Sequence, residues 1–78
     1  MRIMFFAQLR PLAGVASAEV EADGIDGGQL WEFLEKGWPA LAGHRASVRL
    51  ARNGTYATPD EVFHAGDEVA LIPPVSGG

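Results

Sequence analysis

The sequence predicts an α+β fold, a mixed sheet with one main helix packed on one face and an extended C-terminal tail. Three observations carry the prediction. The first and last apolar segments, Ile3–Leu9 and Glu68–Ile72, are rich in β-forming and other large apolar residues. Between them a single stretch shows helical periodicity, and Asn53-Gly54 marks a tight hairpin.

Residues 2–9 are expected to form the first strand, with Ile3, Phe5, Ala7 and Leu9 on one face and Arg2, Met4, Phe6 and Gln8 on the other. Pro11, which has no ladder donor, and Gly14, which permits a turn, are expected to end it. Residues 17–22 alternate, Ala18, Val20 and Ala22 facing inward and Glu19 and Glu21 outward. Asp26 and Gln29 have the spacing of a capping box, opening a helix whose apolar stripe is Leu30, Phe33 and Leu34. Trp31 and Trp38 flank that stripe, Gly37 is placed to end the helix in a left-handed conformation, and Pro39 prevents its continuation. A compact connection over 39–46 leads to a strand in which Val48 and Leu50 alternate with Arg49 and Ala51. Asn53-Gly54 then supplies the two positive-φ positions of a type I′ turn, and Tyr56 and Thr58 lie on the returning strand. Pro59-Asp60 breaks that strand; the Ala65-Gly66-Asp67 turn launches the last one, which Pro73-Pro74 cuts off.

The order is ββαβββ or nearly so. With two apolar terminal strands it matches a β-grasp (ubiquitin-like) domain, in which those strands lie parallel at the sheet centre. The chain reads as one domain, residues 1–74, followed by a reactive tail, 75–78.

Composition narrows the function. The 78 residues include no cysteine, so neither a disulfide nor a thiolate metal site can brace the small core. A net charge of −4 and a single lysine, Lys36, argue against a nucleic-acid partner. The apolar run at the N-terminus is too short for a signal sequence or a membrane span, which gives a cytoplasmic expectation. No paired carboxylates, nucleophile–base pair or phosphate loop stands out. Asp67 is read as a turn stabiliser, His44 and His64 as loop residues, and Arg10, Arg49 and Arg52 as solvated sheet-edge charges. The chain is expected to bind no metal or cofactor and not to act as an enzyme alone.

The informative feature is the ending Val75-Ser76-Gly77-Gly78 after Pro73-Pro74. Glycines without Cβ atoms can enter a slot too narrow for a side chain. Four extended residues reach roughly 13–14 Å, enough to cross into a partner's active site. The opening Phe5-Phe6-Ala7-Gln8-Leu9-Arg10, the Leu12-Ala13-Gly14 turn and the block from Gly66 to Gly78 resemble the small, sulfur-carrying subunit of molybdopterin synthase, the MoaD type. Pro11, where that family often has an acidic residue, and the Arg52-Asn53-Gly54 turn depart from the pattern without touching the tail.

The resemblance implies a mechanism. An E1-like adenylyltransferase would spend ATP to adenylate the Gly78 carboxylate, and a sulfur donor system would convert it to a thiocarboxylate. Gly77 would belong to the reactive tail, which inserts into the large subunit of the synthase. There the sulfur would attack cyclic pyranopterin monophosphate, building molybdopterin for molybdenum cofactor biosynthesis. The partner interface is expected to comprise Met4, Phe6, Phe63, Ile72, Pro73, Pro74, Val75 and Ser76, with Phe63 read from the sequence as a core residue that could also reach a partner. Two alternatives use related chemistry: a carrier for thiamine thiazole synthesis or another pathway, and a ubiquitin-like modifier joined to target lysines.

Overall fold

The computed structural model describes residues 1–74, so Val75, Ser76, Gly77 and Gly78, expected to form the reactive tail, lie outside the described residues. Strands β1 (Arg2–Phe5), β2 (Ser17–Glu19), β4 (Arg49–Arg52), β5 (Thr55–Tyr56) and β7 (Glu68–Ile72) form a five-stranded sheet in the order β2-β1-β7-β4-β5. β1 and β7 pair in parallel at its centre, Ile3 against Val69 and Phe5 against Leu71; the other pairings in this sheet are antiparallel. A small ribbon of β3 (Ile25–Asp26) and β6 (Val62–Phe63) closes one end of the helix layer.

Helix α2 spans Gly27–Gly37. Its start is the expected capping box: Asp26 Oδ1 accepts from Gln29 N at 2.8 Å, and Gln29 Oε1 accepts from Asp26 N at 3.0 Å. These bonds satisfy donors that the first helical turn would otherwise leave free. The buried stripe is Leu30, Trp31 and Leu34, whereas Phe33 is 41% exposed. Residues 31 and 33 both lie near the edges of a stripe centred on 30 and 34, and the sheet selects the Trp31 side. Gly37 is the last helical residue and not a left-handed cap; Trp38 ends the helix with φ −134°, its N–H bonded to Leu34 O. Trp38 then meets Phe5 edge to face, ring centroids 5.1 Å apart. Two 3₁₀ turns, Pro39–Leu41 and Arg45–Ser47, carry the chain back to β4.

The first strand is shorter than expected. It ends at Phe5, and residues Leu9–Ala13 form a short helix, α1. Pro11 does not break this segment, because it occupies the first turn, where an amide N–H has no helical acceptor. Gly14 closes α1 with φ 79°, its N–H bonded to Arg10 O at 2.8 Å. Leu9 remains in the core but reaches it from α1, and Ala7 is an exposed hinge with φ 50°.

The core lies between α2 and one face of the sheet. Ile3, Phe5, Leu9, Leu30, Leu34, Leu41, Phe63, Val69 and Leu71 are each about fully buried there. The Asn53-Gly54 turn joins β4 to β5 with φ of 51° and 87°, as a type I′ hairpin requires. β5 stops at Tyr56, so Thr58 is not part of it.

Candidate functional site

Sheet alternation places two kinds of residue on the two faces. Phe5, Leu71 and Leu50 form one cross-strand row on the side facing α2. The next row, Ser17–Met4–Ala70–Ala51–Tyr56, belongs to the opposite face, which no helix covers among the described residues. Its middle is made of two alanines, with Met4 and Tyr56 standing to either side. The result is a shallow, largely apolar trough lined by Met4, Phe6, Ala51, Gly54, Tyr56, Ala70 and Ile72, with Glu68 at the end remote from Pro74. Tyr56 is 50% exposed, while Met4, Phe6, Ala70 and Ile72 are half-buried. A second depression, formed by Phe6, Ala7, Gln8, Ile72, Pro73 and Pro74, shares Phe6 and Ile72 with the first. The apolar surface therefore continues from mid-sheet to the last described residue.

Phe6 takes its place through local backbone geometry. Beyond β1 the chain turns through Ala7, and Leu9 N bonds back to Phe6 O at 3.0 Å. Arg10 Nε donates to Phe5 O at 3.2 Å, so Arg10 fastens the end of the strand and is not merely a solvated charge. A left-handed alanine costs about 1–2 kcal/mol, which the surrounding bonds must offset.

The far end of β7 is fixed electrostatically. Asp67 is 8% exposed and accepts from Arg52 Nε at 2.7 Å, Asn53 Nδ2 at 3.0 Å and the backbone N–H of His64 at 2.8 Å. Arg52 Nη1 also donates to Glu61 at 3.3 Å. The His64 N–H and then the Arg52 guanidinium hold the Asp67 carboxyl down at about 2, against the usual 3.8. Asp67 thus stabilises its turn, and Arg52 is its partner instead of a free edge charge. Nearby, His64 Nδ1 lies 3.4 Å from Asp23 Oδ1, whose pKa is lowered first by the Ala65 N–H and then by His64.

Of the interface candidates, the structure brings Met4, Phe6, Ile72, Pro73 and Pro74 onto one continuous surface. Phe63 must be removed from that set: it is fully buried under α2, paired with Ile25, and packs in the core on the other side of the sheet. Residues 75–78 lie outside the described range. Sequence reasoning missed Ala51, Ala70, Tyr56 and Arg49 as neighbours on the open face. The signal for Tyr56 was available, because a two-residue turn at Asn53-Gly54 sets Ala51 opposite Tyr56. Among the described residues no group of three or more His, Asp or Glu is placed to hold a metal ion, and no helix is long and apolar enough to cross a membrane.

A parallel pair of terminal strands at the centre of a mixed sheet, crossed by one long helix, defines a β-grasp domain of the ubiquitin-like kind. The profile of the ThiS family matches residues 3–78, and the chain belongs to that family. It is 37% identical over 81 residues to the molybdopterin synthase sulfur carrier subunit of Haemophilus influenzae, covering all of this chain and 99% of that one. It is also 36% identical over 87 residues to small archaeal modifier protein 1 of Haloferax volcanii, covering both chains in full. The crystal structure of that modifier superposes with a TM-score of 0.84 at 34% identity over 99% of this chain and 97% of that chain. A Helicobacter pylori chain, solved in a complex of subunits 1 and 2 of molybdopterin-converting factor, shares the fold with a TM-score of 0.71 at 22% identity, over 99% of this chain and 96% of that one.

Proposed function

We propose that this chain is the sulfur-carrier subunit of a molybdopterin synthase, presenting a C-terminal thiocarboxylate to a large catalytic subunit. The observation that carries this reading is the apolar open face that runs without a break into Pro73-Pro74, the root of the Gly-Gly tail. An uncovered apolar sheet face of this kind marks a partner surface. The full-length likeness to sulfur carrier subunits supports the choice of partner.

Activation begins when a Gly78 carboxylate oxygen attacks the α-phosphorus of ATP in an E1-like adenylyltransferase, releasing pyrophosphate. A carboxylate is a poor electrophile, and the mixed anhydride with AMP makes its carbonyl open to attack. A sulfur donor then displaces AMP, leaving sulfur on the terminal carbonyl. In the large subunit that sulfur attacks cyclic pyranopterin monophosphate, forming a C–S bond. Water then hydrolyses the acyl–sulfur bond, which returns the Gly78 carboxylate and leaves the sulfur on the pterin; a second sulfur delivered in the same way completes the dithiolene. The body of this chain positions the nucleophile, and the groups that bind the pterin belong to the large subunit. Pro73 and Pro74 fix φ at the base of the tail, so fewer residues need ordering when it is inserted.

Intact-mass measurement after incubation with ATP, the host adenylyltransferase and a sulfur donor tests the reading. An oxygen-to-sulfur mass gain confined to Gly78 is expected, and deletion of Gly78 abolishes it. A persistently unchanged mass with active enzyme would sink the proposal. The likeness to small archaeal modifier protein 1 favours a second reading, in which a lysine amine of a target protein takes the place of sulfur. Isopeptide-linked adducts in cell extract would support that route.

A further inference from the structure

The open face is apolar at its centre but not symmetric in charge. At the end remote from the tail, register sets Arg2 between Glu19 and Glu68. At the tail-proximal end, Arg49 lies opposite Ile72, two residues along β4 from Ala51 and therefore on the same face. Its guanidinium carbon sits 3.8 Å from the centroid of the Tyr56 ring, the diagonal neighbour across the hairpin. Among the described residues Arg49 makes no salt bridge, in contrast to Arg52 three positions on.

A guanidinium held 3.8 Å over an aromatic ring is retained by cation–π attraction, and among the described residues no side-chain hydrogen bond or salt bridge takes up the Arg49 N–H donors. Those donors have the fork geometry that suits a carboxylate. Docking of a partner over Tyr56 and Ile72 withdraws water from Arg49. A desolvated arginine without an anion opposes binding, so the surface that closes over it needs a negative group there.

We infer that the Arg49–Tyr56 pair is a built carboxylate-recognition point at the tail-proximal edge of the docking face, and that the large subunit presents an Asp or Glu side chain to it. This rests on the reading of the open face as the large subunit's docking surface. The pair sets polarity as well as attraction: an acidic group opposite Arg49 fits only when the partner's opening lies toward Pro74, whereas at the other end Arg2 is already flanked by Glu19 and Glu68. Arg49 and Tyr56 thereby align the carrier so that its tail points into the partner.

Calorimetric titration of the cognate large subunit with the full-length chain tests this. Arg49→Met, which keeps the stem and removes the charge, should weaken binding about tenfold and flatten its salt dependence. Arg49→Glu should weaken it about a hundredfold, and Lys in place of one Asp or Glu of the large subunit should restore most of the loss. Circular dichroism spectra matching the parent chain show that these exposed-site variants fold. Arg49→Met binding within about twofold of the parent, with the same salt dependence, overturns the inference. So does an Arg49→Glu defect that only removal of the large subunit's C-terminal carboxylate reproduces. Met4→Glu separates the two levels: if it blocks binding while Arg49→Met does not, the docking face stands and the carboxylate contact falls. If Met4→Glu binds like the parent, the docking-face reading fails, and the inference with it.

Discussion

The two faces of the central sheet share the same strands yet are built to different ends. On the side facing α2, Ile3, Phe5, Val69 and Leu71 close completely against Leu30 and Leu34. On the other side Met4, Phe6 and Ile72 stay half-buried around small Ala51 and Ala70. Alternation within β1 and β7 produces both, so the parity of a residue there decides whether it is sealed in the core or left on the open face. The comparison teaches that apolar character alone does not identify core. What separates the two is whether another layer of the same chain covers the side chain.

The sharpest way to break the contrast is a matched pair of truncations. Leu34→Ala should cost about 3 kcal/mol in urea unfolding, because it leaves a cavity under a fully buried site. Met4→Ala should cost about 1 kcal/mol or less in the same experiment but weaken large-subunit binding at least about tenfold. Equal stability losses would erase the distinction between the faces.

A smaller effect is expected where electrostatics anchor the start of β7. The Asp67 carboxyl has a lower pKa folded, about 2, than the usual 3.8. Its contribution is therefore fully present above about pH 4 and is lost as pH falls through about 2. That contribution is about 2 kcal/mol, and Asp67→Asn should remove it and flatten the acid limb of a stability–pH profile measured by urea unfolding. An unchanged limb would show that the His64 N–H and Arg52 contacts do not hold the Asp67 carboxylate in solution.

The smallest effect concerns the border of the open face. Ala7→Gly should raise stability by about 0.5 kcal/mol, since relief of the left-handed alanine is partly offset by the backbone freedom of glycine. Thermal melting measures it, and a decrease would mean that the Ala7 methyl group contributes packing that its exposure conceals.

Local chemistry made much of this legible in the sequence. The Asp26/Gln29 box and the Asn53-Gly54 turn act through neighbours a few residues away, and both formed as read. The central placement of β1 and β7 followed from their apolar character. Features set by distant partners were not legible in the same way. Choosing Trp31 over Phe33 requires knowing how α2 rolls on the sheet, and assigning Arg52 to Asp67 spans 15 residues. Phe63, read as core and also offered as an interface residue, is core: it is held inside by a ribbon with Ile25 that no short pattern announced. Pro11 misled because a breaker within a strand is an acceptable residue in the first turn of a helix. For the candidate site, the apolar character of Met4, Phe6 and Ile72 was visible early, whereas the trough between them emerged only with the register of β4 and β5.

The central position of β7 also has a mechanical meaning. A pull applied at Pro74 enters the body along the axis of β7. That strand is laddered to β1 on one side and to β4 on the other. Its hydrogen bonds lie across the direction of pull, so they share the load in shear and do not open one after another. An edge strand in the same position would be peeled away. The topology thus lets the chain be pulled at Pro74 while the globule behind it keeps its shape.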